Sequence, residues 1–199
     1  DAGFQLLNKF NDYKDFYKPD YQQRGDWKND LTLPCSWPGQ GFDRAIYANV
    51  TMIWQSDYDR NVTSPRCATN YNPVGLYRKT FKVDKGLVDA KGRINISFQG
   101  VEACYYVYIN GQEVGYSEDT FSPHSFDITD YLYKNGDGSI DTDAENLLAV
   151  KVHKFCDGTW MEDQDFLYDG GIFRDVYMYA TPLIHLEDYF INVDLDDNY

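Results

Sequence analysis

Between residues 46 and 180 the apolar residues fall into short runs, several with every second residue apolar, and the runs are separated by turn residues. Nowhere does a sustained 3.6-residue period appear. This is the strongest constraint on the fold. Alternation gives a strand one face for a core and one for water, whereas a helix needs apolar residues three and four apart. Arg93 to Gln99 is the cleanest case, with Ile94, Ile96 and Phe98 facing in and Arg93, Asn95, Ser97 and Gln99 facing out. Residues 46–54 are apolar and β-branched, residues 75–83 put Tyr77, Phe81 and Val83 on one face, and 146–155 and 172–180 read as two further strands. Tyr105 to Ile109 runs into Asn110-Gly111 and back out through Glu113 to Tyr116. Asn-Gly supplies the two positive φ angles of a type I′ turn, so this stretch is a β-hairpin. A turn or two of helix fits only at residues 129–133, capped by Asp127 or Thr129. Parallel α/β folds are excluded, and the fold expected is all-β, a sandwich or barrel.

Two stretches lie outside that pattern. Residues 1–45 carry Pro19, Pro34, Pro38 and scattered glycine, and read as an irregular segment packed on the body. Residues 184–195 alternate again through Ile191, Val193 and Leu195, a new strand that ends at Tyr199 without a closing partner. The expected layout is an amino-terminal segment over 1–45, a sandwich over 46–183, and the start of a following domain or linker over 184–199.

Composition narrows the function. Eighteen Lys and Arg against 32 Asp and Glu leave a net charge of −14. That balance repels phosphate backbones and anionic lipid, so nucleic acid and membrane surfaces are poor partners. With 43% apolar and 17% aromatic residues, the chain has the material for a core. No apolar run is long enough to span a bilayer, and Asp1-Ala2-Gly3-Phe4 shows no signal-peptide pattern. A cytoplasmic location is therefore expected. The 18 tyrosines suit pleated surfaces, and they also suit sugar faces, where a ring stacks and a hydroxyl bonds.

Candidate chemistry is sparse. Cys35, Cys67, Cys104 and Cys156 form no C-x-x-C pair, so zinc is not expected. They read as buried free thiols, with two disulfides arithmetically open. The acidic run from Asn135 to Glu145 offers oxygens to calcium, but an EF-hand register puts Ile140 where glycine belongs; the alternative is a solvated hairpin loop. The run Asp157-Gly158-Thr159-Trp160-Met161-Glu162-Asp163-Gln164-Asp165 packs carboxylates and an indole between two strands. It reads either as a sugar or cation loop or as a charged surface loop. Neighbouring carboxylates on one loop rarely oppose each other as glycoside hydrolysis requires. His124, His153 and His185 have no nucleophile motif beside them and read as structural.

Four ordered stretches resemble the N-terminal sugar-binding domain of glycoside hydrolase family 2, in particular that of its large bacterial β-galactosidases. They are Pro34-Cys35-Ser36-Trp37 with Tyr47 to Val50, then Asn72-Pro73-Val74-Gly75-Leu76-Tyr77. The third is Phe98 to Ala103 with Asn110-Gly111, Val114 to Ser117 and Phe126-Asp127-Ile128. The last is Asp157 to Asp165, closed by Gly171 to Val176. The resemblance implies a jelly-roll β-sandwich of galactose-binding type, followed by an immunoglobulin-like domain and a catalytic barrel. In the family that barrel carries two glutamates that hydrolyse terminal β-D-galactosides with retention, so this chain alone is expected to be non-catalytic. Asn72 is similar to a family asparagine that bonds substrate hydroxyls. Asp165 is similar to an aspartate that contacts galactose and helps hold sodium. Magnesium is implied for the parent enzyme, as are a galactoside substrate and a homo-oligomer. Two alternatives stand beside this reading. One is a free-standing carbohydrate-binding module using Trp160 and tyrosines as a stacking platform; the other is the same domain from a β-glucuronidase or β-mannosidase.

Overall fold

The computed structural model describes residues 2–7, 14–23, 27–28, 31–49, 62–162 and 164–197. Two antiparallel sheets face each other. The larger joins β1 (Ala2–Leu7), β3 (Val74–Phe81), β9 (Asn146–His153), β6 (Cys104–Ile109) and β7 (Gln112–Ser117), in the order β1-β3-β9-β6-β7. The smaller runs β12-β4-β8, from Val176–Pro182, Gly92–Phe98 and His124–Asp127. Two short ladders complete the set: β2 (Ile46–Ala48) with β10 (Phe166–Tyr168), and β5 (Val101–Glu102) with β11 (Gly171–Ile172). The architecture is a β-sandwich.

Period-2 alternation builds its core. Tyr105, Val107 and Ile109 of β6, with Val150 and Val152 of β9, meet Ile94, Ile96 and Phe98 of β4 and Phe126 of β8. The opposite face of the larger sheet carries Leu76, Tyr108 and Ala149 and is covered by Phe16, Tyr17, Tyr21 and Trp27. Trp37, fully buried, donates its indole N–H to the Tyr77 hydroxyl at 2.6 Å. The hairpin turn forms at Asn110 and Gly111, with φ of 51° and 84°.

Several expectations need correction. The amino-terminal segment is not wholly irregular, because β1 pairs with β3 from Ala2↔Lys79 to Leu7↔Val74. Edge pairing to an existing strand overrides a weak local pattern. The strand expected over 172–180 is two, β11 and β12. Between them Gln99 donates its amide to Asp175 and Phe173 to Gly100, so the chain passes from β5 to β4. The expected helical piece is a 3-10 turn at Thr129–Tyr131, where Asp127 Oδ1 accepts the Thr129 amide at 3.0 Å. It is not alone: α1 (Lys85–Asp89) follows Asp84, whose carboxylate accepts the Gly86 amide at 2.7 Å. Short 3-10 turns also form at Pro38–Gln40 and Asp157–Trp160. Each is too brief for a 3.6-residue period to register. Residues 183–197 form no strand, and Ile184 and Phe190 are 95% and 88% exposed. Alternation supplies a face but not a ladder, and a strand needs both. Of the expected run 46–54, residues 50–54 lie outside the described residues.

The acidic run 135–145 is a hairpin loop closed on itself. Asp137 Oδ1 accepts the Ser139 amide and hydroxyl, and Asp141 Oδ1 accepts the amides of Asp143 and Ala144. Those oxygens hold turns within the loop.

Candidate functional site

The residues singled out for sugar chemistry border one satellite cluster at the side of the sandwich. Ala48, Ala68, Phe155 and Tyr168 form its buried centre, with Tyr71, Trp160 and Phe166 packed against it. The β2–β10 ladder sets Phe166 opposite Ala48 and Leu167 opposite Tyr47, which brings Asp165 to the rim beside β2. There its Oδ1 accepts the Tyr47 hydroxyl at 2.5 Å, and Asn49 Nδ2 donates to the same hydroxyl at 3.1 Å. Asp165 and Tyr47 are exposed, so this chain of carboxylate, phenol and amide faces solvent. Acceptors and donors of that kind match the alternating polarity of a polyol.

Asn72 is placed differently. It is 1% exposed, donates from Nδ2 to the Phe155 carbonyl at 2.9 Å, and accepts the Phe155 amide on Oδ1 at 3.1 Å. It thus clamps residue 155, just beyond β9, to the loop before β3. The two expected site residues therefore border one cluster, Asn72 as its clamp and Asp165 on its open rim. Trp160 is half-buried and donates its indole N–H to the Arg66 carbonyl at 2.8 Å. Glu162 holds Thr120, accepting its amide and its hydroxyl at 2.8 Å each. Asp163 lies outside the described residues.

Beneath this region lie charges that sequence reasoning missed. Lys154 is completely buried; its Nζ meets Asp43 Oδ2 at 2.5 Å and the Arg44 carbonyl at 3.1 Å. Glu102 is 6% exposed and accepts the amides of Asp169 and Gly170 on Oε2 at 3.0 and 2.8 Å. Its other oxygen is buried without a hydrogen bond, as is Asp169 Oδ1. Burial pushes the Glu102 carboxyl up to about 7, against the pull of those two amides and of Lys154. By clamping residues 169–170, Glu102 fixes the turn that follows β10 and so positions the strand entered from Asp165. No sequence signal pointed to these groups, because their partners lie 67 and 111 residues away. Glu118, Cys156 and Asp157 bring three further ligand atoms within 4.8 Å of one another.

Comparison with known proteins follows the same lines. The model of the family "Glycosyl hydrolases family 2, sugar binding domain" matches residues 18–182. Two proteins named beta-galactosidase are each 42% identical to this chain over 94% of it: one from Priestia megaterium, of which it covers 16%, and one from Clostridium acetobutylicum, of which it covers 19%. The chain therefore spans less than a fifth of either relative. Among solved structures, a Bacteroides uniformis beta-glucuronidase superposes with a TM-score of 0.59 at 21% identity, over 92% of this chain and 18% of that one. At that identity the likeness speaks for the fold alone.

Proposed function

Because the chain belongs to glycosyl hydrolase family 2, as its sugar binding domain, we propose that it serves a β-galactosidase and contributes one wall of the galactoside site. The parent enzyme hydrolyses terminal β-D-galactosides with two glutamates carried outside this chain, and works in the cytoplasm as a homo-oligomer. Support for galactosides over glucuronides comes from the beta-galactosidase relatives at 42% identity, since the glucuronidase likeness lies at 21%.

The observation that carries the site is the exposed Asp165 carboxylate held by the Tyr47 hydroxyl. Asp165 accepts from sugar hydroxyls, Tyr47 and Asn49 orient it, and Asn72 keeps the cluster behind it in register. Asp165 and Tyr47 also bring hard oxygen donors that suit sodium, as part of a shell the chain's partners complete. We assign no residue of this chain to magnesium.

Galactose and lactose titrated into the isotope-labelled chain, followed by NMR, test this reading. Weak shifts centred on residues 47–49 and 165–167, lost in Asp165→Asn, are expected. Saturable binding that survives Asp165→Asn and centres on Trp160 would instead favour an autonomous carbohydrate-binding module.

A further inference from the structure

Four buried polar atoms without a hydrogen-bond partner sit on the outer face of the larger sheet: Gln5 Oε1, Tyr21 Oη, Trp27 Nε1 and Arg78 Nε. In the β1–β3 ladder Gly3 lies opposite Arg78 and Gln5 opposite Leu76, so these four residues share one face. Tyr21 and Trp27 belong to the segment packed over that face. Their ring centres are 6.1 Å apart, and the Arg78 guanidinium lies 5.5 Å from the centre of the Tyr21 ring. Gly3 lets the segment come this close, since a Cβ there would lie 2.9 Å from the Trp27 ring and 2.5 Å from Gln23 Nε2.

Arg78 is 4% exposed, and among the described residues no carboxylate pairs with it. From Nη1 it donates to the carbonyls of Phe16 and Lys18, the second at 3.0 Å. Carbonyls are neutral, and a buried charge is costly unless it is paired. Arginine Nε and an indole nitrogen can only donate, and a tyrosine hydroxyl can turn to donate. Three donors beside an uncompensated guanidinium call for one anionic acceptor. Water would accept these bonds but would leave the charge. We propose that Arg78, Tyr21 and Trp27 hold a monatomic anion, chloride, between the larger sheet and the segment over it. Gln5 joins them by a half-turn of its carboxamide, which puts Nε2 where Oε1 stands. Lys151, opposite Leu76 on β9, adds positive charge to the same face.

The ion reaches this place through the covering segment, not through the sandwich. Tyr21 and Trp27 are half-buried, so part of each side chain meets solvent, and Gln22, Gln23 and Lys28 around them are exposed. Lys28 bonds Phe4 through its amide and its carbonyl, at 2.7 Å each, and Arg78 holds the carbonyls of residues 16 and 18. Tyr21 and Trp27 stand between those two anchors, and a shift of either ring opens the way for one ion. Once bound, the anion ties that middle stretch to β3 as a third anchor. The cluster is a different one from that bordering Asp165, and the inference does not rest on the galactoside reading.

The test follows the indole N–H signals of the isotope-labelled full chain by NMR while sodium chloride replaces sodium gluconate at constant ionic strength. Trp27→Phe identifies the Trp27 signal. A saturable shift of that signal is expected, with those of Trp37 and Trp160 unmoved. The urea midpoint should rise with chloride and then level off. Tyr21→Phe keeps the ring and removes one donor, and should weaken chloride binding several-fold. Arg78→Met should abolish both the shift and the effect of chloride on the midpoint; if that variant does not fold, Tyr21→Phe decides alone. A Trp27 signal that ignores chloride would overturn the proposal and leave water as the partner of these donors. So would a shift of the same size and affinity in Tyr21→Phe and the parent chain.

Discussion

At the scale of single residues, a polar group's role is set by what it must satisfy. Asn72 spends both ends of its amide on the Phe155 backbone. Asn72→Ala would remove both of those buried hydrogen bonds, at a cost of about 1–3 kcal/mol. Urea unfolding should therefore show a lower midpoint with an unchanged slope, whatever sugar is present. Glu102 links stability to pH. Its carboxyl is ordinary when unfolded, near 4.5, and is raised to about 7 when folded. Below 4.5 both states hold the proton and the stability is whole. Between the two values the folded state keeps a proton that the unfolded state has released, so stability falls as pH rises through 7, by about 3 kcal/mol in all. Urea midpoints from pH 4.5 to 8 should show that decline in the parent chain and lose it in Glu102→Gln. An identical slope in both would assign the pH dependence elsewhere.

Elements divide by length into those visible in the sequence and those not. The hairpin at Asn110-Gly111 and the alternating β4 were legible because some seven residues of alternation, or one turn dipeptide, suffice to specify them. The ladders β2–β10 and β5–β11 pair only three and two residues. α1 is five residues long and is announced only by Asp84. Such pieces form because the chain around them has nowhere else to go. The turn after β10 illustrates this: Gly170 adopts φ of 77°, and a Cβ there would lie 2.6 Å from the Trp37 ring. Gly170→Ala meets both left-handed strain and a wall of indole, and should cost about 1–3 kcal/mol. Thermal unfolding would reveal it, and an unchanged midpoint would mean that Trp37 yields freely.

Across the whole molecule, the Lys154–Asp43 pair links the segment before β2 to the end of β9, 111 residues apart. With both side chains nearly sealed from water, removing one partner leaves an uncompensated charge worth about 3–5 kcal/mol, whereas removing both leaves none. Lys154→Met should therefore be less stable than Lys154→Met/Asp43→Leu, and chemical denaturation of the two variants and their parent checks the order. The sandwich itself, its hairpin and its family likeness could be read from residue order alone, because a strand's faces and a turn's φ angles depend on near neighbours. The family resemblance also named Asn72 and Asp165 as the residues of interest. Only the tertiary structure decided that Asn72 is a buried clamp while Asp165 lies open beside Tyr47. It alone showed Glu102 and Lys154 buried with their partners. Those roles rest on hydrogen bonds and burial between segments far apart in the chain, and no local period or spacing encodes a partner at such a distance.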